Sequence, residues 1–404
     1  MKYITVLGDG MSDWKIPELG NKTCLEAANT PVLDKIAPLS EIGLCKTVPD
    51  GFKPGSDVAN MSVLGFAPDK YYTGRSPIEA VAMGIDLNET DVTLRCNLVT
   101  LSDEQDYEQK TMLDYSAGEI STAEAAELMA YLKEHLKVDG YEFYTGIQYR
   151  HCLVVKNGAV GHTLTPPHDI SDKKITHSLP KGKNADLYTK LMKDSYKLLS
   201  AHPINLKRVS EGKKPANSIW LWGEGTKPKL DDFEKMHGLK GGIISAVDLI
   251  RGIGMLAHMK IITVEGSTGN YDTNFKGKAR AAVSELLGGL DFVYIHLEAP
   301  DECGHHGDYE HKVYSIEKIS SEVIATVIDG LTAANEDFAI LVCPDHPTPV
   351  AIKTHISDPI PYLLYTNVKS LNNGANRYTE QQAESTQTYI PKGHNLIRRL
   401  FSIK

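Results

Sequence analysis

Much of what this 404-residue chain could do is excluded by what it lacks. Its six cysteines (Cys24, Cys45, Cys96, Cys152, Cys303 and Cys343) lie far apart, with no Cys-x-x-Cys pair, so neither a zinc ribbon nor a thioredoxin-type dithiol is available. They read as small buried hydrophobes in a reducing compartment. Basic charge is in deficit: 43 Lys and Arg face 52 Asp and Glu, a net charge of −9. That balance argues against a nucleic-acid partner and against a membrane surface. No apolar run approaches the ~18 residues of a membrane span. The opening stretch carries Asp9 where a secretory leader would still be apolar, so a cytoplasmic protein is expected. No Walker-type phosphate loop occurs, and Gly223-Glu224-Gly225 is too short for a dinucleotide fingerprint. Nucleotide kinases of the usual folds are disfavoured. There is no internal repeat and no low-complexity tract.

What is present suits a globular protein. Hydrophobic residues make up 41% and charged residues 24%, and the length favours two to three domains with a large core. Strand-like runs at 3–7, 291–297 and 338–343 are almost continuously apolar. Between the last two, Val313, Ile316, Ile319, Val323, Val327 and Leu331 recur at helical spacing over 309–334. Strand, helix and strand with apolar strands predict a parallel βαβ unit buried on both faces. The middle differs. A capping box at Ser121–Glu124 opens a helix, 143–155 alternates as a strand, and 157–185 reads as a long loop. A second helix is expected over 185–199, a charged connector over 207–215, a strand at 218–222 and a helix over 243–250. The fold class expected is α/β. A core of 1–69 and 213–404, its sheet parallel-dominated and flanked by helices, carries an inserted α+β domain at 70–212.

Three acids follow three predicted strands: Asp9, Asp301 and Asp345. The carboxyl edge of an open parallel sheet is where sites are built. Three carboxylates converging there repel one another unless cations lie between them. A lone Asp at a strand end is ordinarily a helix N-cap. Here two of the three come with histidines: His305 and His306 lie four and five residues after Asp301, His346 follows Asp345 directly, and His355 comes nine residues later. Mixed Asp and His ligands suit zinc or manganese. Spacing alone leaves His305 and His306 as alternatives. Ser56 follows a Pro-Gly turn at the start of an apolar-periodic helix. By itself it reads as an N-cap. Beside divalent cations, at the positive end of a helix dipole, it becomes a candidate nucleophile with a phosphate-binding terminus around it.

These segments together resemble the archaeal-type, cofactor-independent phosphoglycerate mutases, members of the alkaline phosphatase superfamily. The matching pieces span nearly the whole chain: VLGDGMSD (6–13), KPGSDVANMSVLGF (53–66), YYTGRSPIEAVAMGI (71–85), LRCNLVT (94–100), YRHCLVV (149–155), GGIISAVDLIRGIG (241–254), VEGSTGNYDTNFKGK (264–278), PDECGHHGD (300–308) and PDHPTPVAIKTHISDPIPYL (344–363). The resemblance implies an alkaline-phosphatase-like core and two divalent metal ions, manganese first, with zinc or magnesium as alternatives. Asp301, His305 and His355 would hold one ion; Asp9, Asp345, His346 and the nucleophile Ser56 would hold the other. It implies a phosphoserine route between 3- and 2-phosphoglycerate that needs no 2,3-bisphosphoglycerate. Closure of the inserted domain would exclude water, with Arg75, Arg95 and Arg150 binding the anionic substrate. The partner expected is thus a small phosphorylated metabolite; a homo-oligomer stays open.

Departures accompany the resemblance. The family carries arginines in a motif resembling Asp-Arg-x-Ala-Gly-Arg, whereas this chain has Asp114-Tyr115-Ser116-Ala117-Gly118-Glu119. A second family motif, Arg-Gly-x-Gly, stands here as Trp222-Gly223-Glu224-Gly225. A bidentate Arg–carboxylate pair with a substrate is worth roughly 1.5–3 kcal/mol, and these positions do not supply one. The alternative reading is therefore a homoserine-kinase-like phosphotransferase using the same serine. A plain phosphatase and a non-catalytic, metal-stabilised scaffold are minor ones.

Overall fold

The computed structural model describes residues 1–404. Thirteen strands run in chain order: β1 (Lys2–Gly8), β2 (Glu41–Cys45), β3 (Val92–Leu101), β4 (Met112–Asp114), β5 (Tyr141–Tyr144), β6 (Arg150–Val155), β7 (Ser218–Thr226), β8 (Gly241–Ile244), β9 (Lys260–Ile262), β10 (Phe292–Leu297), β11 (Phe338–Cys343), β12 (Ile360–Thr366) and β13 (Tyr389–Ile390). The chain divides into two units, Met1–Tyr72 with Lys229–Lys404, and Thr73–Pro228.

The first unit is built on a mixed, mostly parallel eight-stranded sheet, in the order β13-β2-β12-β11-β1-β10-β8-β9. β1 lies between β10 and β11 and runs parallel to both. β12 alone is antiparallel to its neighbours. Every residue of β10 and β11 is buried, which is why these strands are unbroken apolar runs rather than alternating ones. The helix Phe275–Leu287 and the long helical segment from Tyr309 to Ala333 bury their apolar stripes in the same core. Over Ile319–Ile324 that segment widens into a π-helical stretch. The register sets Gly8 of β1 beside Leu297 of β10 and Leu7 beside Cys343 of β11. The carboxyl ends of three adjacent strands thus finish level.

The second unit is an antiparallel sheet of β4-β3-β6-β5, with β7 also paired to β3. The helices Thr122–His135 and Ala185–Ser200 pack on it, and Ser121 accepts the Glu124 backbone N–H as the capping box requires.

Four expectations need correction, the first being the single strand over 143–155, which is instead the antiparallel pair β5 and β6 with 145–149 between them. The inserted unit extends to Pro228 rather than 212, because β7 pairs with β3 from Val92 to Val99. The helix expected over 243–250 starts only at Asp248; Ile243 and Ile244 end the strand Gly241–Ile244, which joins β10 and β9 in the parallel sheet. Only the start of the charged connector, up to Ser210, is helical, as the end of the helix Pro203–Ser210 that Pro203 and the His202 cap open.

Candidate metal centre and nucleophile

Asp9 lies one residue beyond β1, Asp345 two beyond β11, and Asp301 four beyond β10, in the first turn of the helix Ala299–His306. Strand order alone therefore gathers them. Asp301 and His305 are one helical turn apart and face the same way, 3.3 Å from carboxylate to Nε2. The Nε2 atoms of His305 and His355 are 2.8 Å apart, and His355 Nε2 is 3.3 Å from Asp301 Oδ1. His306 instead turns its Nδ1 to the Glu302 carbonyl at 2.7 Å, away from this cluster. His346 is fully buried, with Nε2 3.2 Å from Asp345 Oδ2 and 3.8 Å from Asp9 Oδ1. Ligand atoms of Asp301, His346 and His355 lie within 4.8 Å of one another, and so do those of Asp9, Asp345 and His346. His346 thus belongs to both groups.

The chain makes a tight approach at Gly10, where φ is +62°. A Cβ there would sit 2.5 Å from Asp301 Oδ1. Only glycine adopts that backbone without strain and leaves the carboxylate room. The Gly10 N–H donates to Asp345 Oδ1 at 3.2 Å, tying the β1 loop to the β11 loop.

Ser56 is the first residue of the helix Ser56–Val63, and Gly55 rather than Ser56 occupies the cap position. Its hydroxyl is therefore not spent on capping; Oγ lies 3.2 Å from His346 Nε2. Asn60, one turn on, donates to the Ser56 carbonyl at 2.9 Å and to Asp345 Oδ2 at 2.8 Å. The Tyr294 hydroxyl donates to Asn60 Oδ1 at 2.6 Å and fixes which way the amide points. Thr348 Oγ1 donates to Asp301 and lies 3.3 Å from His346 Nδ1. Lys312, wholly buried, donates to Asp13 Oδ2 at 2.7 Å, the Thr348 carbonyl at 2.8 Å and the Ser12 carbonyl at 3.2 Å. Asn60, Thr348, Lys312 and His296 were not singled out from the sequence. His296 alone left a local sign, a ring in an otherwise apolar strand.

The electrostatics fit a cation-binding centre. Burial, then the carboxylates of Asp345 and Asp301, push the Asp9 carboxyl well above its ordinary range. Asp9 Oδ1 is buried without any hydrogen-bond partner. Burial acts the same way on Asp301, but its bonds with His305 and His355 outweigh it and hold that carboxyl well below the usual range. Burial lowers His346, favouring the neutral imidazole that ligates metals. Three buried carboxylates, neutral imidazole and an unsatisfied oxygen are a donor set that a divalent metal completes.

In the second unit, Glu79 gathers the arginines. Arg75 Nε lies 2.7 Å from Glu79 Oε1, and Arg95 Nε lies 3.0 Å from Oε2. Burial would raise the Glu79 carboxyl, but Arg95 and Arg75, with Arg150 beyond, hold it below its usual value. Burial drives the Arg95 guanidinium down to about 10. Register places Arg95 opposite Trp222 and Cys152, and the guanidinium stacks 4.3 Å from the Trp222 ring centre. Arg150 lies 5.3 Å from the Tyr149 ring centre. Tyr115 packs edge-on to Tyr149 and His168, and His168 to Trp222. An aromatic run thus occupies the departing positions 115 and 222, while Glu119 adopts a left-handed backbone in the turn between β4 and the following helix.

An open α/β sheet whose central strand ends hold carboxylates and imidazoles beside a helix-terminal serine defines the class of metal-dependent phosphoryl-transfer enzymes. Comparison with known proteins narrows this. A family model described as 2,3-bisphosphoglycerate-independent phosphoglycerate mutase matches residues 37–205. The protein of that name from Methanosarcina mazei is 47% identical over 398 residues, covering 98% of both chains. A probable enzyme of that name from Geobacter sulfurreducens is also 47% identical, covering 99% of both. Among solved structures, the PH0037 protein of Pyrococcus horikoshii superposes with a TM-score of 0.82 at 27% identity, covering 99% of this chain and 96% of that one. The cofactor-independent phosphoglycerate mutase of Thermoplasma acidophilum shares the fold, with a TM-score of 0.63 at 24% identity and full coverage of both. The chain belongs to the 2,3-bisphosphoglycerate-independent phosphoglycerate mutase family.

Proposed function

We propose that this protein interconverts 3- and 2-phosphoglycerate through a phosphoserine at Ser56, without 2,3-bisphosphoglycerate. The family assignment supports the reaction. The observation that carries the route is Ser56 Oγ, uncapped at a helix N-terminus and 3.2 Å from His346. Asp301, His305 and His355 would hold one divalent ion, and Asp9, Asp345, His346 and Ser56 the other, with manganese, zinc or magnesium as candidates. Bound there, such ions supply Lewis-acid polarisation of phosphoryl oxygens and a lowered serine pKa.

Ser56 Oγ attacks phosphorus. The Oγ–P bond forms, the bond from phosphorus to the substrate hydroxyl oxygen breaks, and that oxygen takes up the proton Ser56 gave up. The phosphoryl group then returns to the other hydroxyl by the reverse step. The backbone N–H groups opening the Ser56–Val63 helix favour the phosphoryl oxygens. Asn60 holds Asp345 and the Ser56 carbonyl in register. Arg75, Arg95 and Arg150, grouped about Glu79, would contact the anionic substrate.

Phosphorus NMR on Mn-loaded protein tests the reaction. Conversion of 3-phosphoglycerate to 2-phosphoglycerate is expected, and its absence overturns it. Tyr115, Glu119 and Trp222 reduce the positive charge of the second unit and favour one other reading, phosphorylation of homoserine. A parallel sample with homoserine and ATP tests that reading directly. Ser56→Ala should abolish the phosphoenzyme by intact mass while metal content largely survives, and Asp345→Ala should lose both.

A further inference from the structure

His296 is an imidazole in the middle of the sheet. It lies on β10 among Phe292, Val293, Tyr294, Ile295 and Leu297, all fully buried, and is itself 1% exposed. A polar ring there costs free energy unless both nitrogens are bonded. Both are. β8 flanks β10 on one side and β1 on the other, so the residues just past those strands, Ser245 and Asp9, meet the two ring nitrogens. Ser245 Oγ lies 3.1 Å from Nδ1, and Asp9 Oδ2 lies 2.8 Å from Nε2.

The Val247 backbone N–H donates to Ser245 Oγ at 3.0 Å and fixes the hydroxyl beside His296 Nδ1. An ionised carboxylate only accepts, so with Asp9 ionised as a metal ligand the neutral ring carries its proton on Nε2, donates it to Asp9 Oδ2 and accepts the Ser245 hydroxyl at Nδ1. Lys278 Nζ, buried, donates to the His296 carbonyl at 3.1 Å and holds the backbone at that point. Asp9 Oδ2 is thereby occupied, and Oδ1 is the oxygen left without a partner.

We infer that His296 is a positioning residue that makes Asp9 a one-sided ligand, presenting Oδ1 to the metal centre, and that Ser245 supports the tautomer that lets it do so. The inference rests on the proposed metal site. Without His296 the carboxylate can rotate, and neither oxygen is held towards the cation. Partners that orient a metal ligand are worth about 10- to 100-fold in metal affinity.

The experiment is calorimetric titration of Mn²⁺ into the chelator-stripped full chain, for the parent, His296→Leu, His296→Gln and Ser245→Ala, with nitrogen NMR of the histidine rings. The glutamine amide can replace the Nε2–H donor and leucine cannot. His296→Leu is expected to weaken one of two Mn²⁺ sites at least 10-fold, His296→Gln to recover most of that loss, and Ser245→Ala to weaken it a few-fold. The ring spectrum of the parent should show His296 protonated on Nε2. A merely structural role would lower the melting temperature of the stripped protein for leucine and glutamine alike without separating their Mn²⁺ affinities. Equal affinities for parent and His296→Leu overturn the inference. So does a proton on Nδ1 in the parent, a result that stands even if His296→Leu does not fold. A parent that binds no Mn²⁺ overturns the metal reading itself.

Discussion

Lys312→Met is expected to destabilise the first unit by about 4 kcal/mol. The Lys312 side chain is fully buried and pairs with Asp13, which is buried with it. Removing one partner of a buried ion pair leaves the other charge without compensation, at roughly 3–5 kcal/mol. Asp13 keeps the Trp14 N–H at 2.8 Å and the Val350 N–H near 3.2 Å, so the upper end of that range is not reached. The Thr348 carbonyl also loses a 2.8 Å donor, worth about 1 kcal/mol within the same total. Methionine nearly matches the lysine stem in volume, so cavity formation adds little. The charge argument makes a sharper claim about the double variant Asp13→Asn/Lys312→Met. It should be more stable than Lys312→Met alone by about 2 kcal/mol, because the stranded carboxylate is gone. Urea titration read by hydrogen exchange of peptides from β1 and β11 follows this unit separately from the other. A loss below about 1 kcal/mol for the single variant, or a double variant weaker than the single, would refute the reasoning.

Three further outcomes are expected. Burial pushes the half-buried Glu380 carboxyl up to about 7 from an ordinary 4.5. Its folded value lies above its unfolded one, so its contribution is fully present below pH 4.5 and is lost as pH rises towards 7. Glu380→Gln should therefore gain about 2 kcal/mol relative to the parent between those limits, discounted for partial exposure; parallel melting curves across that range would contradict it. Gly10→Ala forces a left-handed backbone on alanine and a Cβ 2.5 Å from Asp301 Oδ1. A loss of about 2 kcal/mol or more and weakened Mn²⁺ binding by calorimetry are expected. Chelation should lower the melting temperature reversibly, because Asp9, Asp301 and Asp345 are buried together and repel; scanning calorimetry with and without Mn²⁺ checks this, and an unchanged midpoint would be the contrary result.

How far the site was legible differs residue by residue. Asp9, Asp301 and Asp345 could be found because each follows a strand buried on both faces, and such strands must be continuous apolar runs. Ser56 stood out because a Pro-Gly turn precedes a helical period, although the sequence pointed to a cap and the structure places the cap on Gly55. Ile243 and Ile244 read as the start of a helix because a short apolar run is compatible with either a buried strand or a helix; pairing with β10 and β9 decides it. The extent of the inserted unit was misjudged for a related reason. β7 is joined to β3 by backbone hydrogen bonds across more than a hundred residues of chain, and local pattern says nothing about strand partners.

The sequence by itself determined the alternation of buried strands and helices, the chemical kinds of group at the strand ends and the helix that presents Ser56. These follow from periodicity, turn residues and the cost of burying backbone, all of which act over a few residues. Only the tertiary structure decided that β1 lies between β10 and β11, that His346 belongs to both ligand groups and that Lys312 joins the Asp9 and Asp345 loops. It also decided that His296 lies between Ser245 and Asp9. Those relations depend on strand order and side-chain direction across hundreds of residues, where the whole core must be packed before any one contact is defined.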